Sequence, residues 1–303
     1  MIRPPRFTVS LALLVTLLAL VVPAIGMTTA HAQGTGWDCA APVATAPSAD
    51  ASPVAAATDL VPFPDTGGEL TVFAAASLTD AFTEVQADLE AANPELSIIY
   101  NFAGSQTLVT QLTEGAAADV FASANNTQMT VASDAGVLSG EPETFVRNRL
   151  VIVAPTDNPA GLSEPADLAA DGLQLVLAQP AVPVGQYARA SICLMAADTV
   201  TYGDDFVGRV AANVVSEEDD VREVLTKVQL GEADAGIVYV SDAAIAADEV
   251  ELIDIPDAVN VIATYPIAPV AGGDDALAAA FIAYILSDDG QQTLADFGFD
   301  PVP

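Results

Sequence analysis

Leu70-Thr71-Val72-Phe73-Ala74-Ala75-Ala76-Ser77-Leu78 runs an apolar strand into three alanines and then a serine, at the point where an amphipathic helix begins. Leu78, Ala81, Phe82, Val85 and Leu89 continue it at helical spacing until Asn93-Pro94 stops the helix. The same device recurs in Ser97-Ile98-Ile99-Tyr100-Asn101-Phe102-Ala103-Gly104-Ser105-Gln106. A serine at such a junction sets a hydroxyl donor beside backbone N–H groups that have no helical partner. Two such ends in one fold can hold a small anion between them. Each serine also reads as an ordinary helix cap: Asp80 follows Ser77 as in a weak capping box, and Gly104 eases a tight turn before Ser105.

Outward from these two units, strands and helices keep alternating. A helix is marked by Leu108, Val109 and Leu112 and ended at Gly115, a strand by Asp119–Ala122, a helix by Thr127–Ala135 and a strand by Leu150–Ala154. A second set follows with strands at Leu173–Ala178, Gly236–Val240, Val250–Ile255 and Asn260–Ile267. Its helices are Gln186–Ala197 and Val221–Leu230, and Asp275–Ser287 and Gly290–Phe297 close the chain. This order predicts an α/β fold with largely parallel strands. If the last helices cover the first sheet, the body has two lobes, residues 69–147 with 266–303 and residues 148–265. The chain then crosses near Asn148–Arg149 and Thr264–Tyr265, and the cleft between hinged lobes is where a ligand is expected.

Ahead of the body, residues 1–32 have the pattern of a secretory signal: Arg3 and Arg6, an apolar run from Val9 to Val22, and Ala30-His31-Ala32 as a cleavage site. An uncleaved anchor is the alternative, although the run is short for a membrane span. Residues 33–68, rich in Ala, Pro, Asp and Thr, read as a flexible tether. The two cysteines, Cys39 and Cys193, suit a disulfide outside the cytoplasm, with two free thiols as the alternative. Gly36-Trp37-Asp38 is a poor lipid-attachment context for Cys39.

Charge narrows the function. Eight Lys+Arg stand against 41 Asp+Glu, a formal net charge of −33, which argues against nucleic acid or an anionic membrane as partner. Removal of residues 1–32 takes away His31, the chain's one histidine, and leaves Arg147, Arg149, Arg189, Arg209, Arg222 and Lys227 as its cations. A serine nucleophile then lacks a histidine base, and Ser77 stands in neither a Gly-x-Ser-x-Gly nor a phosphate-loop context. An enzyme is therefore not expected; a secreted hydrolase is the alternative from another class. Three further places offer donors to a ligand. Val182-Pro183-Val184-Gly185 is a loop ahead of a helix, Ser216-Glu217-Glu218-Asp219-Asp220-Val221 begins another helix, and Gly236-Ile237-Val238-Tyr239 ends a strand with a phenol. Plain connection, helix start and core packing are their ordinary readings.

Together these places resemble the periplasmic molybdate-binding proteins of ABC import systems, within the type II periplasmic solute-binding proteins. The resemblance covers nearly all of residues 69–303. Besides the segments quoted above, it rests on Ala118-Asp119-Val120-Phe121-Ala122-Ser123-Ala124, Glu218-Asp219-Asp220-Val221-Arg222 and Gly236-Ile237-Val238-Tyr239-Val240-Ser241-Asp242-Ala243. It implies a two-lobed fold with a tetrahedral dianion in the cleft, held by the hydroxyls of Ser77, Ser105 and Tyr239 and the amides of Val184 and Val221. The implied ligand is molybdate or tungstate, with sulfate or another oxyanion as the alternative; no cofactor and no direct cation ligand are implied. The implied partner is a membrane permease driven by a cytoplasmic ATPase, served by a monomer outside the cytoplasmic membrane. Two departures fall on one loop: Val182-Pro183-Val184-Gly185 replaces the family's Val-Pro-Ala-Gly, and Ala178-Gln179-Pro180 replaces Gly-Asp-Pro.

Overall fold

The computed structural model describes Trp37, Cys39, residues 62–64 and residues 67–302, so the expected signal segment lies outside the described residues. In chain order the first elements are β1 (Gly68–Ala75), α1 (Thr79–Ala92), β2 (Leu96–Ala103), α2 (Ser105–Thr113), β3 (Val120–Ala122), α3 (Asn126–Asp134) and β4 (Glu143–Asn148). Next come β5 (Leu150–Pro155), β6 (Leu175–Ala178), α4 (Pro183–Ala196), α5 (Thr199–Tyr202), α6 (Phe206–Asn213), β7 (Val214–Glu218), α7 (Val221–Gln229), β8 (Ala235–Tyr239), α8 (Val240–Ile245) and β9 (Val250–Asp254). The chain finishes with β10 (Ala263–Pro269), α9 (Asp275–Ile285), α10 (Asp288–Asp296) and β11 (Asp300–Pro301).

These strands form two sheets, ordered β11-β4-β10-β3-β1-β2 and β7-β6-β8-β5-β9. Helices flank each sheet, giving a two-lobed α/β body. The sheets are mixed rather than largely parallel. β1 runs parallel to β2 and β3, and β6 to β7 and β8, but every other pairing is antiparallel. The strands that run against the parallel set of their sheet are β5, β10 and β11, and β5 and β10 carry the chain into the second sheet and back. No helix immediately precedes β5 or β10, so no crossover imposes the parallel sense on them. β4 ends at Asn148 in the first sheet and β5 starts at Leu150 in the second, which leaves Arg149 as the outward crossing. The return precedes Thr264–Tyr265, which lie within β10, and runs through Pro256 and Asn260.

Burial follows the residue pattern. In α7, Val221, Val224, Leu225 and Val228 are buried at i, i+3, i+4 and i+7. They pack on β8 because Gly236 leaves room: a Cβ there would lie 2.9 Å from Val224 Cγ1 and 3.0 Å from Val228 Cγ2. In α1 the stripe is Ala81, Phe82, Val85 and Leu89. Two residues of the expected tether are held down. Cys39 is disulfide-bonded to Cys193 of α4, with Cα atoms 5.4 Å apart. Trp37 lies under the Arg189 guanidinium, 5.4 Å from its ring centroid.

Candidate functional site

The C-terminal ends of β1 and β8 meet the first turns of α4 and α7 around a cavity of about 10 Å³, lined by Ala75, Ala76, Ser77, Gly104, Ala124, Val182, Pro183, Val184, Asp220, Val221 and Tyr239. Four of the five expected site residues, Ser77, Val184, Val221 and Tyr239, are in this wall. The fifth, Ser105, stands directly behind it. Its neighbours Gly104 and Ala124 line the cavity, and its Oγ accepts the Ala124 N–H at 3.0 Å. All five are at most 3% exposed.

Each donor has a local origin. Ser77 sits in the 3-10 turn Ala76–Leu78 that links β1 to α1, where three small alanines let another chain segment approach. Ser105 is the first residue of α2. Val184 was expected in a loop, but α4 starts at Pro183 because proline is well suited to a first helical position. The Val184 amide is therefore a first-turn N–H without an intrahelical partner. Gly185 makes that turn possible: a Cβ would lie 2.1 Å from Gln179 O and 2.5 Å from Ala178 O. Arg189 braces the same loop, donating from Nη1 to Ala178 O at 2.7 Å and Gly185 O at 2.8 Å, and pairing with Glu217 through Nη2. Val221 opens α7, with Asp220 as N-cap. Residues 216–218, read from sequence as the start of this helix, belong to β7.

The wall holds no cation. Its one carboxylate, Asp220, is turned to its own helix, accepting from the amides of Arg222 at 2.8 Å and Glu223 at 3.1 Å. The Tyr239 phenol is buried, and its oxygen has no hydrogen-bond partner. Burial drives its pKa well above the ordinary tyrosine value, so it stays a neutral O–H donor. An unpartnered buried hydroxyl costs about 1–3 kcal/mol. Its position in the cavity wall makes it the clearest structural mark of a binding site.

Sequence reasoning missed the shell behind these donors. Tyr265 of β10, fully buried, holds its Oη 2.9 Å from Ser77 Oγ. It also packs edge-on against Tyr239, with ring centroids 5.7 Å apart. Arg222 was passed over as part of a charged helix start, yet it bridges the lobes: Nη2 lies 2.7 Å from Asp80 Oδ2 of α1 and Nε lies 2.6 Å from Asp242 Oδ1 of α8. Burial disfavours the charged guanidinium, but Asp242 and Asp80 outweigh it and raise its pKa. Burial also pushes the Asp242 carboxyl up to about 6, against the pull of Arg222. Three neutral bonds span the same cleft. Gln106 Nε2 donates to Asp219 O at 2.8 Å, Asn125 Nδ2 to Gln186 Oε1 at 3.1 Å, and Gln128 Nε2 to Ala181 O at 3.2 Å. The lobes are thus closed on each other around the cavity.

Comparison with known proteins places this architecture. The family model for bacterial extracellular solute-binding proteins matches residues 70–300. The molybdate-binding protein ModA of Mycobacterium tuberculosis is 42% identical over 231 residues, 76% of this chain and 84% of that protein. ModA of Haemophilus influenzae is 34% identical over 237 residues, 76% of this chain and 89% of that protein. Among solved structures, the Azotobacter vinelandii periplasmic molybdate-binding protein shares the fold with a TM-score of 0.66 at 16% identity, over 76% of this chain and 98% of that one. The chain belongs to the bacterial extracellular solute-binding protein family, in the branch that contains the ModA proteins.

Proposed function

We propose that the protein captures molybdate, and tungstate with it, between its two lobes and delivers the anion to an ABC import permease outside the cytoplasmic membrane. One observation carries this reading: the partnerless Tyr239 hydroxyl shares a wall with Ser77 and the first-turn residues Val184 and Val221, with Ser105 immediately behind. The relatives named above support the choice of anion. Ser77, Ser105 and Tyr239 donate O–H groups, and Val184 and Val221 donate N–H groups.

Neutral donors suffice for a dianion. An anion leaving water must regain its hydrogen bonds. Each bond to a charged group contributes about 1.5–3 kcal/mol, and two helix ends add roughly half a positive charge each. A lining made of donors also disfavours a ligand that carries its own proton, because that proton finds no acceptor. A cavity of about 10 Å³ has room for roughly one water and is smaller than a tetrahedral oxyanion. Entry therefore accompanies parting of the lobes, and the residues that yield are the cleft-spanning Gln106, Asn125, Gln128 and Arg222. We take residues 69–147 with 266–303 and residues 148–265 as the moving bodies. Titration calorimetry with molybdate, tungstate, sulfate and phosphate tests the reading. Tight binding of the first two is expected; sulfate binding as tight as molybdate, or no binding of molybdate, overturns it.

A further inference from the structure

We propose that Trp37 is a positioning residue for the anion site. The Cys39–Cys193 disulfide pins it over Arg189, and Arg189 holds the loop that presents the Val184 amide. The inference rests on the reading of Val184 as an anion donor. It gives a role at the site to a segment whose sequence reads only as a tether.

The coupling follows one face of α4. Gly185, Arg189 and Cys193 stand at i, i+4 and i+8, so they lie in one row along the helix. At the far end of the row, Cys193 carries the disulfide, whose Cα atoms are 5.4 Å apart. The Cys39 N–H donates to Trp37 O at 3.2 Å, a tight turn that keeps the indole beside the crosslink. Its ring centroid lies 5.4 Å from the Arg189 guanidinium carbon. At the near end, Arg189 Nη1 donates to Ala178 O at 2.7 Å and to Gly185 O at 2.8 Å, while Nη2 pairs with Glu217 of β7. Those two carbonyls bracket the loop. Ala178 closes β6, and Gly185 follows Val184 in the first turn of α4.

Arg189 depends on cover. It is 9% exposed, and its Nε is buried with no hydrogen-bond acceptor among the described residues. The indole supplies an electron-rich face to the cation where acceptors are missing. Without Trp37, water reaches the guanidinium and competes for the hydrogens now given to Ala178 O and Gly185 O. The loop then spends time in arrangements that turn the Val184 amide away from the cavity. Apparent affinity falls by the fraction of molecules in which the donor is in place. Linkage makes the effect reciprocal: an anion that fixes the Val184 amide also tightens the loop, Arg189 and the cap.

The test measures molybdate by calorimetry, with a thermal melt of each protein, on the disulfide-bonded wild type, Trp37→Ala, Trp37→Phe, Arg189→Gln and the Trp37→Ala/Arg189→Gln double variant. A cation–π contact with a desolvated guanidinium corresponds to a factor of roughly two to thirty. Trp37→Ala is therefore expected to weaken molybdate by about three- to tenfold, and Trp37→Phe, which keeps an aromatic face, to stay within about twofold of wild type. Trp37→Ala should add less than about a twofold loss once Arg189 is Gln. Trp37 is the chain's one tryptophan, so its emission reports the cap directly. Acrylamide quenching of that emission should fall as molybdate saturates the wild type. A Trp37→Ala affinity within about twofold of wild type, whatever its Tm, overturns the proposal. Additive losses in the double variant, or quenching that molybdate leaves unchanged, overturn it too, and in each case molybdate binding itself stands. A wild type that ignores molybdate overturns the functional reading along with it.

Discussion

Replacing Tyr239 by Phe should move stability and affinity in opposite directions. In the unliganded protein the Tyr239 oxygen is buried without a partner, and its residue is 1% exposed. Deleting that hydroxyl removes an unsatisfied group whose desolvation costs about 1–3 kcal/mol. The ring stays, so its edge contacts with Tyr187 and Tyr265 are kept and no cavity the size of a side chain is made. For a body of this size each kcal/mol moves Tm by about 2–4 °C, so the unliganded variant should melt roughly 2–12 °C higher than the wild type. The liganded state loses one bond to a charged acceptor, about 1.5–3 kcal/mol, which raises the molybdate Kd by roughly ten- to a hundredfold. Scanning fluorimetry without ligand and calorimetry with molybdate measure the two effects on the same preparation. The ligand-induced rise in Tm, which corresponds to about 2.7 kcal/mol at a hundred times Kd, should shrink in the variant. A lower Tm in the unliganded variant means that the hydroxyl has a structural partner. A Kd within twofold of wild type means that it does not face the anion. Either result refutes the reasoning.

Gly185→Ala drives a Cβ into Gln179 O and Ala178 O, 2.1 and 2.5 Å away, so the first turn of α4 must shift and take the Val184 amide with it. Molybdate affinity is expected to fall by more than about tenfold, the worth of one misplaced donor, as read by calorimetry. Asp242 gives a pH dependence. Its carboxyl sits at about 6 when folded against an ordinary 3.8, so the native state holds a proton that the unfolded chain releases. Its contribution to stability therefore falls as pH rises from about 4 to about 6 and then levels off. Denaturant titrations of wild type and Asp242→Asn across that window should differ in slope; equal slopes contradict it. Cys39 and Cys193 are 154 residues apart, so replacing both by Ser should cost about 2–5 kcal/mol and lower Tm, and an unchanged melting curve rules that out. The association rate for molybdate should rise with ionic strength as salt screens the acidic surface, and a steep fall in stopped-flow measurements contradicts this.

The parts legible in sequence were those with strong periodicity. The structure finds β1, β2, α1 and α7 within a few residues of their expected limits: α1 and α7 each bury one apolar stripe, β2 alternates buried and exposed residues over Leu96–Ile99, and β1 is buried throughout Val72–Ala75. β4 was not legible because Glu143, Thr144, Arg147 and Asn148 make it read as polar. It is a strand because β10 and β11 pair with it on either side. β7 alternates half-buried and exposed residues at a sheet edge and ends in two glutamates, so it was taken for the start of a helix. The serine donors were legible because capping chemistry is local. Tyr265 was not, since a contact across 188 residues leaves no spacing to read. Arg222 looked like one charge in an acidic run. Its role depends on Asp80 and Asp242, which only the meeting of α1, α7 and α8 brings to it.

That meeting also resolves how so acidic a chain can keep an anion site. The surface charge acts over about 8 Å in physiological salt, so what decides affinity is the set of carboxylates within that reach. Five acids beside the site have partners: Asp219 accepts from Gln179 Nε2 at 2.7 Å, and the other four are held as follows. Asp220 accepts two amides of its own helix, Glu217 pairs with Arg189, and Asp80 and Asp242 share Arg222. Each acid is matched by a donor or a cation that would otherwise face the cavity or be left unpaired. Arg222 and Arg189 are thus near the site without entering it, and they pair with Asp80, Asp242 and Glu217 while leaving the wall without a cation. A cation in the wall would attract any anion, protonated or not. Withholding both arginines behind the first layer leaves recognition to hydrogen-bond direction, and direction is the property in which a bare oxyanion differs from one that carries a proton.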